Sequence, residues 1–235
     1  MNKEIIISER FCGPPDSGNG GYVSGLMASE LEGAVEVTLR KPIPLLTKMN
    51  LDPTDEGVDL REGNTLIAEA RRVESLDMLT HKAPVRADVV EAMLEPIVCG
   101  DEGVSFGHCF VCGSDRAEGD GLRIICGRLA DGRSAALWQP DPTLDDGNGC
   151  VDPVYLWSAL DCPGYASIHE AGRLALLGRF TAEIIARPSV SEPMIVCGEK
   201  TRQDGRKFYT NTTLYTTTGQ VVGFAKAIWI SVDSV

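Results

Sequence analysis

The chain has 235 residues, 43% of them apolar, and a formal net charge of −12. That length and apolar content suffice for a full buried core, which excludes a disordered chain and allows one large or two small domains. The acidic balance opposes a phosphate backbone, because nucleic-acid affinity rests on Lys and Arg displacing counterions, and no stretch approaches the roughly 20 apolar residues of a membrane span, so neither nucleic acid nor membrane is expected as a partner.

A short strand is predicted near Glu4 to Ser8; its run Ile5-Ile6-Ile7 is too short for a signal core, and a soluble cytoplasmic protein is the expectation. The Gly and Pro cluster from Cys12 to Gly21 reads as a loop feeding a helix over about Gly21 to Leu31. Tyr22, Val23, Leu26, Met27 and Leu31 keep helical spacing, while Gly20, Gly21 and Gly25 leave room for a backbone or ligand to come close. Ala34 to Lys41 alternates with Val35, Val37 and Leu39 on one face, and Leu45 to Leu51 and Thr65 to Val73 read the same way, as an antiparallel sheet.

From Glu74 to Leu122 the regularity breaks into a connector with a short helix around Arg86 to Leu94. Here Cys109-Phe110-Val111-Cys112 has metal-ligand spacing, with His108, Cys99 and Cys126 as further candidate donors. A structural zinc site needs four ligands and no second such pair follows, so no metal is expected, and a zinc-containing interaction module stays only as a lesser alternative. The remaining cysteines form no regular framework, which fits buried reduced thiols.

Leu122 to Leu129 and Ser134 to Trp138 flank the turn Ala130-Asp131-Gly132-Arg133 as a hairpin. An acidic loop with Asp141, Asp145, Asp146 and Asp152 leads to a helix with an Asp N-cap and Pro153 at its first position. Strands follow at about Gly178 to Ala186, Met194 to Thr201, Lys207 to Thr216 and Val221 to Val232.

The second half repeats the build of the first. Asn19, Tyr22 and Ala28 match Asp152, Tyr155 and Asp161 at one constant offset; Arg40-Lys41-Pro42 has a partner in Arg187-Pro188, and Gly63-Asn64-Thr65-Leu66 in Gly219-Gln220-Val221-Val222. Three matches in the same order point to a duplication, with residues 1–98 as the first repeat and connector and 99–235 as the second.

Asn19-Gly20-Gly21-Tyr22-Val23 resembles the Asn-Gly-Gly-Tyr helix start of acyl-CoA thioesterases. Cys109-Phe110-Val111-Cys112-Gly113 followed by Gly119-Asp120-Gly121-Leu122-Arg123 is similar to the cysteine-containing segment of many thioesterase-like hotdog domains. The resemblance implies an α+β fold, a tandem (double) hotdog with two antiparallel sheets each wrapped around a central helix, and an acyl-CoA or acyl thioester substrate held in the seam, with no cofactor. It also implies further pairing into a homodimer or higher homo-oligomer, and assigns the Cys-x-x-Cys to the start of the second repeat rather than to a metal.

In that family a glycine amide at one helix start faces an acid from the partner's helix. The physics stands by itself: free amides at a helix start suit an oxygen that becomes anionic, and a carboxylate opposite can activate water or attack directly. On this chain the resemblance assigns the amides to Gly20 and Gly21 and the carboxylate to Asp161, as the catalytic residues, with Asn19, Tyr22, Thr181 and Ser158 as candidate substrate-binding residues. The reverse site lacks both halves, since Ala28 stands where the acid is expected and Pro153 has no amide hydrogen. One composite thioesterase site per chain is therefore predicted. The alternatives are a hotdog that binds acyl-CoA without chemistry, and for Asp161 and the glycines simple capping and turn roles. His81, His108 and His169 fit no nucleophile or hydratase pattern, and the last strand carries Lys226 where some related enzymes place a Gln.

Overall fold

The structure, a computed structural model, describes residues 3–76, 82–101, 104–169 and 174–232. His81 lies outside the described residues. The chain runs through strand β1 (Lys3–Ile6), helix α1 (Gly20–Ala28), strands β2 (Val35–Leu39), β3 (Lys48–Pro53), β4 (Gly57–Glu62) and β5 (Thr65–Arg72), then helix α2 (Arg86–Ala92). The short strands β6 (Gly100–Asp101), β7 (Val104–Ser105) and β8 (Gly127–Arg128) precede β9 (Ser134–Trp138), helices α3 (Pro153–Ala159) and α4 (Cys162–Ile168), and the long strands β10 (Leu174–Ile184), β11 (Met194–Asp204), β12 (Lys207–Thr216) and β13 (Val221–Val232).

Among the described residues, eleven strands form one antiparallel sheet in the order β1-β3-β4-β5-β2-β10-β13-β12-β11-β9-β8. The expected two sheets are thus continuous, because β2 pairs with β10 and leaves no edge between the halves. Their alternation fixes the register: buried Val37 stands opposite buried Phe180, and Val35 opposite Ala182. A slip of one residue would turn all four to the other face. The order mirrors itself about this seam, β5-β4-β3 on one side answering β13-β12-β11 on the other, and the β4–β5 and β12–β13 hairpins both turn on a glycine of positive φ, Gly63 and Gly219.

Helices α1 and α3 pack on each other over the seam, where Trp157 of α3 meets the Phe180 ring edge-on at 5.6 Å. The close crossing depends on Gly25, whose position would put a Cβ 2.9 Å from Trp157 Cβ and 3.0 Å from Val154 Cα. Alternation sends Ala136, Val196 and Leu214 into this main core, while Ala135, Ile195 and Tyr215 form a second cluster with Val89 of α2. Fully burying side chains such as Phe180 or Leu156 contributes about 1.5–3 kcal/mol each. Among the described residues no helix is long and apolar enough to cross a membrane.

Three local expectations differ from what is observed. Strand β4 was not expected, its Val58 and Leu60 alternating among charges. The strand predicted over Leu122 to Leu129 shrinks to β8: Leu122 and Ile124 instead donate their amides to Phe110 and Val111, and Arg123 between them has φ +52. The second-repeat helix is broken, α3 ending at Ala159 and α4 starting at Cys162, because Pro163 has no amide hydrogen to continue the ladder.

Candidate functional site

Asn19 has the extended backbone of an N-cap, and its Oδ1 accepts from Tyr22 N–H at 2.8 Å. That leaves its Nδ2 free to reach outward, where it donates to Asp161 Oδ2 at 2.9 Å and lies 3.8 Å from Cys109 Sγ. The Gly21 amide donates to the same Asp161 oxygen at 3.0 Å. Contact is possible only without a side chain at Gly21, since a Cβ there would stand 2.5 Å from Asp161 Cβ.

Asp161 therefore meets the start of α1 directly rather than across a gap. Three of the sequence candidates, Asn19, Gly21 and Asp161, share one hydrogen-bonded cluster, and Gly20 lines the cavity beside it. This changes the expected division of labour: the Gly21 amide is occupied by the carboxylate, whereas the Gly20 amide has no partner in the chain among the described residues. Asp161 also sits in the break between α3 and α4 rather than along a helix, and its side chain does not cap α4.

The carboxyl is 3% exposed, and its Oδ1 is buried without a hydrogen-bond partner. Burial pushes it up to about 7, the nearby Cys109 thiol adds to the rise, and the bonds from Gly21 and Asn19 oppose it. A buried acid so placed is poised to exchange a proton near neutrality. Cys109 and Cys162 flank it, their sulfurs 3.8 Å apart. Hydrogen bonds from Cys112 and Cys162 hold the Cys109 thiol well below the usual thiol range, and their counterparts push Cys112 and Cys162 up.

A cavity of about 510 Å³ opens beside the cluster, within the usual size of small-molecule sites. Leu39, Ile43, Phe106, Leu177, Tyr165 and Trp229 give it apolar walls; Gly20, Asn19 and Asp161 are polar points, and the exposed Arg40 and Lys41 stand at its rim.

Other candidates fall elsewhere. Tyr22 stacks on Phe11 at 3.9 Å and meets Phe110 edge-on, with Tyr155, its counterpart in the second half, tilted against it at 6.3 Å; it does not line the cavity. Ser158 is fully buried and its hydroxyl donates to the Val154 carbonyl one turn back. Thr181 lies on β10 opposite Lys226 and Glu36, beyond the Ala175–Gly178 stretch that borders the cavity, and Lys226 is likewise away from it. His108 is exposed and His169 packs on the Tyr165 ring.

At the reverse site, the Asp152 side chain accepts from Val154 N–H at 2.9 Å, so α3 caps itself. Sequence reasoning passed over two residues that build the site. Arg116, buried, donates to the His108 and Cys109 carbonyls and to Cys12 Sγ, and pairs with Asp120, which fixes the loop carrying Cys109. Cys162 had only its place beside Asp161 as a signal.

No protein-family model and no curated protein matches the chain. Solved structures do. A hotdog-fold protein of unknown function from Alicyclobacillus acidocaldarius is 11% identical, with a TM-score of 0.63, over 100% of this chain and 94% of its own. A putative thioesterase from Novosphingobium aromaticivorans is 10% identical at a TM-score of 0.62, over 97% and 94%. An acyl-CoA thioesterase II from Mycobacterium marinum is 10% identical at 0.59, over 96% and 97%. These likenesses, each running nearly end to end, show that this chain has the hotdog fold.

Proposed function

We propose that the chain is a tandem of two hotdog units, residues 1–98 and 99–235, that hydrolyses acyl-CoA or a related acyl thioester at a single cleft between them. The observation that carries the reading is Asp161: one carboxylate oxygen is fixed by Asn19 and Gly21, and the other is buried without a partner beside a large apolar cavity. Such a group is costly to keep and useful for proton transfer. The mirrored strand order and the paired glycine turns support the tandem. The Mycobacterium marinum neighbour supports the substrate class.

In this reading the acyl chain lies against Leu39, Ile43, Leu177 and Trp229, and the carrier leaves past Arg40 and Lys41, whose charge suits its phosphates. Ionised Asp161 takes a proton from a water whose oxygen adds to the thioester carbon. The Gly20 amide, at the positive end of α1, donates to the carbonyl oxygen as charge gathers there. The C–S bond then breaks, the departing thiolate takes the proton from the Asp161 carboxyl, and a carboxylic acid and a thiol leave. Proton transfer of this kind contributes about 10²–10⁴-fold, and one positioned amide about 10²–10³-fold.

One observation favours a second reading, binding of acyl-CoA without turnover: the Gly21 amide, which the resemblance gives to the carbonyl, is taken by Asp161. A panel of acyl-CoAs followed by thiol release separates the two. The hydrolase releases thiol at a rate that Asp161→Asn abolishes while the circular dichroism spectrum is unchanged. Tight binding with no thiol release, or equal turnover by the variant, rejects the catalytic role.

A further inference from the structure

The chain brings together sulfurs that its sequence scatters. Cys109 and Cys112 lie in the turn-rich segment before β8, and Cys162 opens α4 some fifty residues later. Their three sulfurs all lie within 4.8 Å of one another, and Cys109 Sγ and Cys162 Sγ are 3.8 Å apart. A tetrahedral zinc ion with Zn–S bonds of about 2.3 Å holds its sulfurs about 3.8 Å apart, so that pair already spans one edge of the tetrahedron. The thiol of Cys99 interacts with that of Cys112, and both line a cavity of about 140 Å³ together with Cys162.

We propose that Cys99, Cys109, Cys112 and Cys162 bind one zinc ion as a closed, structural four-thiolate site. The chemistry of the donor set selects the ion. Soft thiolates favour zinc, copper(I) or iron–sulfur clusters, and three sulfurs within 4.8 Å of one another, with Cys99 beside Cys112 to complete the set, fit one tetrahedral ion rather than a multi-iron cluster. The Cys-x-x-Cys pair supplies half of a four-ligand site, and the fold, not the sequence spacing, brings Cys162 and Cys99 to it as the other half. Binding releases the thiol protons to solvent and changes no oxidation state.

The site has a mechanical consequence. The ion would tie the segment after α2 and the Cys109–Cys112 turn to the first residue of α4, one residue beyond Asp161. The helix break that aims Asp161 at α1 is then tied to the same Cys109–Cys112 turn that Arg116 holds. This inference stands apart from the hydrolase reading, because zinc content is measured without substrate.

The test is elemental analysis of the full chain purified without chelator, with cobalt(II) titration of the metal-stripped protein. The expected result is about one zinc per chain. Cobalt should give thiolate-to-metal charge-transfer absorption and the visible bands of a tetrahedral ion. Cys162→Ala and Cys112→Ala should each lower zinc at least tenfold, Cys112→His should restore it, and Cys150→Ser, at a half-buried cysteine outside the cluster, should leave it unchanged. Less than one zinc per several chains, no charge-transfer band when cobalt(II) is added to the stripped wild-type protein, or a disulfide among these cysteines in freshly purified reduced protein would overturn the proposal. Should the alanine variants fail to fold, the cobalt spectrum of the wild-type chain still decides.

Discussion

Gly21→Ala is the sharpest perturbation of the site, because the added atom has nowhere to go. A Cβ at position 21 would lie 2.5 Å from Asp161 Cβ, 3.1 Å from its Cγ and 3.0 Å from Oδ2. Carbon atoms rest about 3.5–4.0 Å apart, so about 1 Å of overlap must be absorbed. Asp161 Cβ cannot swing away by changing rotamer; the backbone of the α3–α4 break would have to move. Overpacking of this kind costs about 1–3 kcal/mol, and the bond from the Gly21 amide to a charged group contributes about 1.5–3 kcal/mol more. Replacing Gly by Ala in a helix returns about 1 kcal/mol, which leaves a net loss of about 1.5–5 kcal/mol. Gly25→Ala is the matched control. Its Cβ would crowd Trp157 and Val154 at 2.9–3.0 Å, so it weakens the α1–α3 crossing without touching Asp161. Urea unfolding should find both variants destabilised, while thiol release at a temperature where both are folded should be lost only in Gly21→Ala. A Gly21→Ala chain as stable and as active as wild type would refute the close contact between the α1 start and Asp161, and the reading built on it.

Asp161→Asn should lower turnover by about 10²–10⁴-fold and also change the pH dependence of stability. The folded-state value of about 7 lies above the ordinary 3.8, so the native state holds this proton more tightly. Its contribution is full below about pH 4 and is lost as pH rises to about 7, at about 1.4 kcal/mol per pH unit and about 4 kcal/mol in all. The variant should therefore gain more in urea midpoint over wild type at pH 8 than at pH 4, and a larger gain at pH 4 would contradict the assignment. Asn19→Ala removes the cap on Tyr22 and one bond to Asp161, at a cost of about 2–4 kcal/mol; an unfolding free energy within 0.5 kcal/mol or so of wild type would show that neither bond matters. Lys41→Glu should raise KM for acyl-CoA about fivefold, the worth of about 1 kcal/mol for an exposed pair, and leave kcat unchanged. The same variant should act normally on a short acyl thioester whose carrier has no phosphates, and an equal rise in KM for both substrates would place the effect elsewhere.

Much of the fold could be read from local pattern. Strands β11, β12 and β13 start where expected, because the alternation of Phe208, Thr210 and Thr212 is uninterrupted and turns at Asp204-Gly205 and Thr218-Gly219 bound it. The N-cap of α3 and its first-turn proline were equally plain. What escaped depends on contacts remote in sequence. Leu122 and Ile124 look like strand residues, yet their amides pair with Phe110 and Val111 of the same loop. Thr181 and Ser158 have suitable chemistry, but only the sheet register and the helix interior decide that neither reaches the cavity. That Asp161 faces the helix start at Gly20 and Gly21 was an implication of the resemblance, while its bonds to Asn19 and to the Gly21 amide were not expected, since spacing says which groups meet and not how near.

The asymmetry between the two helix starts explains how a buried carboxylate can exist at this point of the core. At the start of α3, the Asp152 carboxylate turns back on its own Val154 amide, Pro153 offers no donor, and α1 presents Ala28. That end needs nothing from its neighbour. At the start of α1 the cap is an amide side chain, so its oxygen serves Tyr22 while its nitrogen is left over, and Gly21 adds a second donor with no side chain to keep a partner away. Two donors converging on one point in an apolar interior are themselves costly unless something accepts from them. Asp161 is that acceptor, brought there because Pro163 stops α3 from running on as a helix. The bonds to Oδ2 hold the carboxyl in the core, and the lone pairs of Oδ1 remain buried and unpaired.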